Sequence, residues 1–165
     1  MLEPDPARAI SRLNADFMEQ LDEDRFVTLV VAVINPFTHE LTVVNGGHMA
    51  PMLRCADGHV QKIGEQCIGV PLGVIDGFSY EQMTLRITAS ELIVMYTDGV
   101  NETQDQNDQF YGIEAIEALL SNIAGGAETF GFSLLKELEH FRNGLPRTDD
   151  ICIVCFERVA QGSET

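Results

Sequence analysis

Apolar residues change their period several times along the chain, and each change predicts an element. Ile10, Leu13, Phe17, Met18 and Leu21 recur at helical spacing behind Asp5-Pro6. Asp is a good cap and Pro suits the first helical position, so a helix is predicted from Pro6. Glu19, Asp22, Glu23 and Asp24 at its end oppose the macrodipole, help to terminate it and read as a solvated acidic turn. Residues 26–34 are β-branched and almost continuously apolar, which predicts a central strand covered on both faces. Asn35-Pro36-Phe37-Thr38 breaks it, residues 40–45 resume in strand form, and Gly46-Gly47 breaks again. Residues 51–55 then lead through Ala56-Asp57-Gly58 into 59–63, so this region reads as consecutive antiparallel hairpins.

A Gly/Pro-rich stretch, 64–77, joins these hairpins to residues 80–87, whose alternation of apolar and polar positions marks a strand with one wet face. Residues 91–96 are again apolar on both faces. Ile113, Ile116, Leu119, Leu120 and Ile123 form one helical stripe, and Leu134, Leu135, Leu138 and Phe141 form another beyond Gly125-Gly126. Residues 151–156 make a last apolar strand. Antiparallel strands followed by segregated helices indicate an α+β fold rather than βαβ alternation. Strands apolar on both sides need cover on both, which a two-sheet sandwich with outer helices provides. No repeat or polar linker divides the chain, so residues 1–165 are expected to form a single domain.

Charge narrows the partners. The 26 Asp and Glu against 10 Lys and Arg give a net charge of −16. Such a surface repels nucleic-acid phosphates and anionic membranes, so neither is expected as a partner. The longest apolar run, Leu29–Ile34, is far short of the roughly 20 residues that span a bilayer. The start, Met1-Leu2-Glu3-Pro4-Asp5, has no secretory character, which predicts a cytoplasmic chain whose Cys55, Cys67, Cys152 and Cys155 stay reduced. The Cys152-Ile-Val-Cys155 spacing suits a metal knuckle, but it lies in a strand where residues three apart face opposite sides. These cysteines are expected to be buried thiols.

The candidate chemistry lies at two strand ends. Tyr96-Thr97-Asp98-Gly99 closes one apolar strand and Thr148-Asp149-Asp150 opens another. Taken separately, the first is a common turn signal and the second a common solvated edge. If the strands are antiparallel neighbours, however, Asp98 and Asp149 meet at one sheet edge. Two close carboxylates need a proton or a cation between them, and the fitting cation is hard and oxygen-seeking, Mg2+ or Mn2+.

With Phe26-Val-Thr-Leu, Asn45-Gly-Gly-His48 with Pro51, Gly69-Val-Pro-Leu-Gly73, Tyr96-Thr-Asp-Gly99 with Glu102, Phe110-Tyr-Gly112 and Thr148-Asp-Asp-Ile151 in this order, the chain resembles a known family. It is similar to the metal-dependent protein serine/threonine phosphatases of the protein phosphatase 2C type, in the bacterial branch that regulates sporulation and stress sigma factors. The motifs cover most of residues 14–156. The resemblance implies a four-layer α-β-β-α sandwich of two antiparallel sheets. It also implies two Mn2+ or Mg2+ ions, in the complete domain, that activate a bridging water for attack on phosphoserine or phosphothreonine. Carried over by position, Asp98 and Asp149 look like metal ligands, and Gly99 permits the tight turn beside them. Asp150 is a supporting or merely solvated charge. His48 is either a general acid or a loop histidine bonded to backbone, and no catalytic residue is assigned; His39, His59 and His140 receive no role.

These phosphatases share an upstream segment with a further metal-binding Asp, and nothing before Asp5 resembles it. Asp57-Gly58 and Asp76-Gly77 do not replace it. The chain is therefore expected to be the C-terminal two-thirds of a phosphatase domain, incomplete at its N-terminus. Two functions follow as expectations. One is hydrolysis of phosphoserine or phosphothreonine on a phosphorylated signalling protein such as an anti-sigma-factor antagonist. The other is a catalytically inactive, phosphatase-like module that binds a phosphoprotein or regulator. Loss of upstream strands exposes a sheet edge, so self-association is expected too.

Overall fold

Asp5 starts the first helix as its sequence suggests: its carboxylate accepts the Arg8 N–H at 3.2 Å and its carbonyl the Ala9 N–H at 3.0 Å. The structure is a computed structural model that describes residues 5–20 and 25–159. The elements run α1 (Pro6–Gln20), β1 (Leu29–Ile34), β2 (Glu40–Gly46), β3 (Met52–Arg54), β4 (Val60–Lys62), β5 (Ile68–Gly69), β6 (Gln82–Arg86), β7 (Leu92–Tyr96), α2 (Asp98–Asn101), α3 (Ile113–Asn122), α4 (Ala127–Arg142) and β8 (Ile153–Glu157). Leu21, Asp22, Glu23 and Asp24, the expected close of α1, lie outside the described residues. Two compact units divide the chain, residues 1–50 with 63–87 and residues 51–62 with 88–165.

In the first unit β2 is the hub of a mixed sheet. It pairs antiparallel with β1 and β6 and parallel with β5. Ala7 and Ile10 of α1 join Val44, Leu72 and Tyr80 in one buried cluster, with Leu13 and Phe17 packed against it. Met18, the next member of the expected stripe, is exposed. Asn14, on the buried face of α1, is fully enclosed because both ends of its amide are used. It donates to the Ile75 carbonyl and accepts the Gly73 N–H, each at 2.9 Å, and so ties the Gly/Pro-rich segment to the helix.

The second unit holds an antiparallel sheet in the order β4-β3-β7-β8. Leu92, Ile93, Val94 and Tyr96 of β7 are buried between the neighbouring strands and helices. Ile116 and Leu120 of α3 and Phe130, Leu134 and Leu138 of α4 supply the helical side of that core. The break at Gly125-Gly126 is held by Arg54, whose guanidinium donates to the carbonyls of Ile123 and Gly125.

Three expectations change. The run 26–34 does not form a covered central strand: β1 begins at Leu29, pairs only with β2 among the described residues, and leaves Val33 and Ile34 exposed. Strand propensity came from the β-branched side chains, but burial depends on what lies beyond the edge. The two expected antiparallel hairpins, β1-β2 and β3-β4, form in succession, but they lie in different sheets: β2 does not pair with β3, which pairs with β7 instead. The cysteines are not uniformly buried either: Cys152 is exposed, and only Cys155 is enclosed enough for burial to push its thiol up to about 11. Among the described residues no helix is long and apolar enough to cross a membrane.

Candidate metal centre

β7 and β8 are antiparallel neighbours, with Tyr96 opposite Ile153. The pairing continues past the strand ends. The Thr97 N–H donates to the Cys152 carbonyl at 3.1 Å, while the Thr97 hydroxyl donates to the Asp150 carbonyl and accepts the Cys152 N–H, both at 3.0 Å. The hydroxyl thus carries the ladder one step further than the backbone can. Asp98 and Asp149 follow from that register at the same edge of the sheet, and both are exposed.

Gly99 fixes how closely the two segments approach. A Cβ at this position would stand 2.5 Å from the Asp150 carbonyl oxygen and 3.4 Å from the Asp149 Cβ. The tight turn expected beside Asp98 is the single turn of α2, and the need for glycine in it comes from this close approach. The φ of Gly99 is not in the left-handed region and it sits in the short helix α2, so it is required for contact rather than for conformation. Each carboxylate is steadied locally: Asp98 Oδ1 accepts the Gly99 N–H at 3.0 Å, and Asp149 Oδ1 accepts the Asp150 N–H at 2.7 Å. The second oxygen of each accepts no hydrogen bond from the described residues.

These donors are hard carboxylate oxygens, the class that Mn2+ and Mg2+ prefer. Among the described residues, no group of three or more His, Cys, Asp or Glu gathers that could hold a metal. Two carboxylates on touching segments thus fit part of a hard-cation site among the described residues. Asp150 lies beside them and contributes its carbonyl to Thr97. Asp57-Gly58 forms the β3-β4 turn, with the Gly58 N–H donating to the Cys55 carbonyl.

His48 belongs to a different construction in the first unit. Asn45 brackets it, accepting its N–H at 2.8 Å and donating to its carbonyl at 2.9 Å. Its ring Nδ1 lies 3.1 Å from the Thr28 hydroxyl. Gly47 has φ 70°, and a Cβ there would stand 2.6 Å from Pro71. The Asn45-Gly-Gly-His48 and Gly69-Val-Pro-Leu-Gly73 motifs therefore meet as one packed turn pair.

Residues 1–159 match the stage II sporulation protein E (SpoIIE) family. The chain belongs to the SpoIIE family. It is 25% identical over 150 residues to protein IcfG of Synechocystis, covering 89% of this chain and 23% of that protein. It is 24% identical over 102 residues to the phosphoserine phosphatase RsbU of Bacillus subtilis, covering 62% of this chain and 30% of RsbU. The chain thus spans about a quarter of IcfG's length and under a third of RsbU's. Its fold is that of the SiaA PP2C domain of Pseudomonas aeruginosa, with a TM-score of 0.78 at 16% identity over 93% of this chain and 61% of that one. The SpoIIE phosphatase domain of Bacillus subtilis, presoaked with Mn, matches at a TM-score of 0.68 and 17% identity over 96% of this chain and 68% of that domain. RsbX in complex with magnesium matches at 0.64 and 16% over 92% of this chain and 63% of RsbX. This SpoIIE-family chain is accordingly an α+β protein with two sheets, most of whose strand pairs are antiparallel.

Several residues of the site were not visible beforehand. For Thr97, a hydroxyl at a strand end before an acid is the available signal. Thr103 is buried and donates to the Gly99 carbonyl at 2.7 Å, bracing α2 from below. Arg142 and Arg147, at the end of α4 and just before Asp149, had no sequence signal. Both bind Glu139, and hydrogen bonds from Arg147 and Arg142 hold its carboxyl below the usual range.

Proposed function

We propose that this chain is the part of a phosphatase domain, spanning residues 1–165, that supplies Asp98 and Asp149 to Mn2+ or Mg2+ for hydrolysis of phosphoserine or phosphothreonine. The substrate is a phosphorylated bacterial signalling protein of the anti-sigma-factor-antagonist type, and the setting is the cytoplasm. The observation that carries this reading is the contact of Asp98-Gly99 with Asp149-Asp150 in a chain of this family. RsbU's description as a phosphoserine phosphatase supports the reaction type.

What a divalent cation supplies when bound there is positive charge at phosphate oxygens and a more acidic water. The chain's own contribution is to hold two carboxylates ready. The backbone N–H groups of Gly99 and Asp150 orient them, Thr97 locks the strands together, and Gly99 keeps the segments in contact. A second reading, a binding module without turnover, is favoured by the two-carboxylate set among the described residues. Its sheet edge at β1 suits self-association in either case.

The test is Mn2+ titration calorimetry on the chain, with Asp98→Asn and Asp149→Asn beside it. One weakly bound ion is expected, with each substitution lowering the affinity about tenfold or more, since hard-cation affinity rises with charged ligand count. Slow hydrolysis of a phosphoserine peptide is expected from the 165-residue chain. A longer protein that adds an upstream acid should be many-fold faster, with the gain abolished by either substitution. An inert longer protein that still binds Mn2+ would move the assignment to the binding module.

A further inference from the structure

Little holds the segment that leads to Asp149. α4 ends at Arg142, Asn143 has φ 47° and Gly144 φ 85°, and the Leu145 N–H donates to the Arg142 carbonyl at 3.0 Å. Pro146, Arg147 and Thr148 then make no backbone hydrogen bond among the described residues. Beyond Asp149 the chain is fixed again, because the Thr97 hydroxyl holds the Asp150 carbonyl and the Cys152 N–H. On the near side the fastening is a side chain: Arg147 Nη2 donates to Glu139 Oε1 at 3.1 Å. The other oxygen of Glu139 accepts from Arg142, which also donates to the Leu145 carbonyl and has a side chain only 14% exposed. One carboxylate on the last turn of α4 thus joins both ends of the segment that delivers Asp149.

On the reading of Asp98 and Asp149 as metal ligands, which this step rests on, we infer that Glu139 and Arg147 are positioning residues for Asp149, and that their bond raises the affinity of the site for Mn2+ or Mg2+. Arg147 is two residues before Asp149, at most roughly 7 Å of chain, so fixing one narrows the places open to the other. An exposed ion pair of this kind adds little to global stability. A hard cation is more exacting: Mg2+ takes its oxygens only near about 2.1 Å, so freedom in one of two carboxylates costs affinity. The charge of Arg147 works the other way. Arg147 and Asp149 line the same cavity of about 200 Å3, and a guanidinium beside a cation site repels the cation. Positioning and field therefore predict opposite results when Arg147 loses its charge.

The test is titration of the 165-residue chain with Mn2+, read from the paramagnetic resonance signal of the free ion, with urea midpoints measured in parallel. Arg147→Gln should weaken Mn2+ binding about fivefold, less than the roughly 10- to 100-fold cost of removing a group bonded directly to a ligand, because Arg147 acts through the chain. Arg147→Lys should keep most of the affinity, since lysine can make the same single bond to Glu139. Glu139→Gln should weaken binding about fivefold or more, and adding Arg147→Gln to it should weaken binding no further, because one bond is lost only once. Asp108→Asn is the control for charge: it lines the same cavity, its carboxylate has no partner among the described residues, and its loss should cost less than about twofold. Urea midpoints should stay nearly constant throughout. Unchanged or tighter Mn2+ binding by Arg147→Gln overturns the inference, as do equal losses from Glu139→Gln and Asp108→Asn, additive losses in the double variant, or losses that follow the urea midpoint. Mn2+ binding that depends on Asp149 yet ignores Arg147 defeats this inference alone. If the unaltered chain binds no Mn2+, or Asp149→Asn binds it equally well, the metal-site reading fails and the positioning role falls with it.

Discussion

β1 and β7 are aliphatic strands of similar length and composition, Leu-Val-Val-Ala-Val-Ile and Leu-Ile-Val-Met-Tyr, yet they have different fates. β7 lies between β3 and β8 and is buried along most of its length, whereas β1 has one strand partner among the described residues and exposes its last two residues. Both carry the branched side chains that favour a pleated backbone. The run of apolar residues therefore reports that a segment can be covered, and only the neighbours decide whether it is. The difference bears on function. A strand buried between neighbours holds Thr97 and Asp98 at a fixed place, while an edge strand offers unpaired backbone groups to whatever comes next.

The strongest way to break this comparison is to put a charge into each strand. Val94→Asp should unfold the second unit or cost more than about 4 kcal/mol, because the site is fully buried between two strands and offers the charge no partner. Val33→Asp should change stability by no more than about 0.5 kcal/mol, since Val33 is 47% exposed. Urea unfolding midpoints at unchanged slope are the measurement. Equal costs would mean that β1 is covered as thoroughly as β7.

Glycine substitutions sharpen the same contrast at the site itself. Gly99→Ala should cost about 2 kcal/mol, in the range of overpacking, because the methyl must displace the Asp150 carbonyl. It should also weaken Mn2+ binding, since the displacement moves Asp149 away from Asp98. Gly131→Ala is the control: it lies inside α4, where the nearest atom to a new methyl is the Cys155 sulfur at 4.0 Å, so it should stabilise the chain by about 0.5–1 kcal/mol. Thermal midpoints and Mn2+ titrations of the two variants give opposite signs if close contact is the reason for Gly99.

These cases show what sequence could and could not supply. The register of β7 against β8 was legible because two apolar runs carried an acid at opposite ends, and the antiparallel arrangement alone then joins Asp98 to Asp149. The split of β2 from β3 was not legible, since the pause at Gly46-Gly47 looks the same whether the chain turns back or crosses to another sheet. The close approach at Gly99 was not legible for a related reason: a glycine needed for close approach looks identical in sequence to one needed for a turn. Arg142 and Arg147 carry no signal in the sequence because both pair with Glu139, and contact across a turn with left-handed residues has no period to detect.

A smaller effect should appear at alkaline pH and separate the two cysteines of β8 and its entry. Cys155 is raised from 9.0 to about 11 by burial, so above about pH 9 the unfolded chain sheds a proton that the folded chain retains. Stability from this group is therefore complete below pH 9 and declines as the pH climbs from 9 toward 11. Cys155→Ala should flatten the decline across that window. Chemical denaturation at stepped pH reads the difference, and thiol alkylation near pH 8 should modify exposed Cys152 well before Cys155.

The smallest expected change in stability comes with a change in association. β1 donates one row of backbone groups to β2, and its other row has no strand partner among the described residues. Such a row templates pairing with a second strand, and a lysine on an edge opposes this because a stacked partner would place like charges together and strip their hydration. Val33→Lys should therefore leave the urea midpoint nearly unchanged while lowering the weight-average mass measured by light scattering at high concentration. Phe37→Ser, in the adjoining turn and 91% exposed, separates edge pairing from simple apolar stickiness. If Phe37→Ser abolishes association while Val33→Lys does not, the contact is side-chain driven and the open edge is not what the second copy recognises. If the unaltered chain is monodisperse and monomeric throughout, β1 is covered by another part of the protein, and the contrast with β7 is smaller than the pairing pattern indicates.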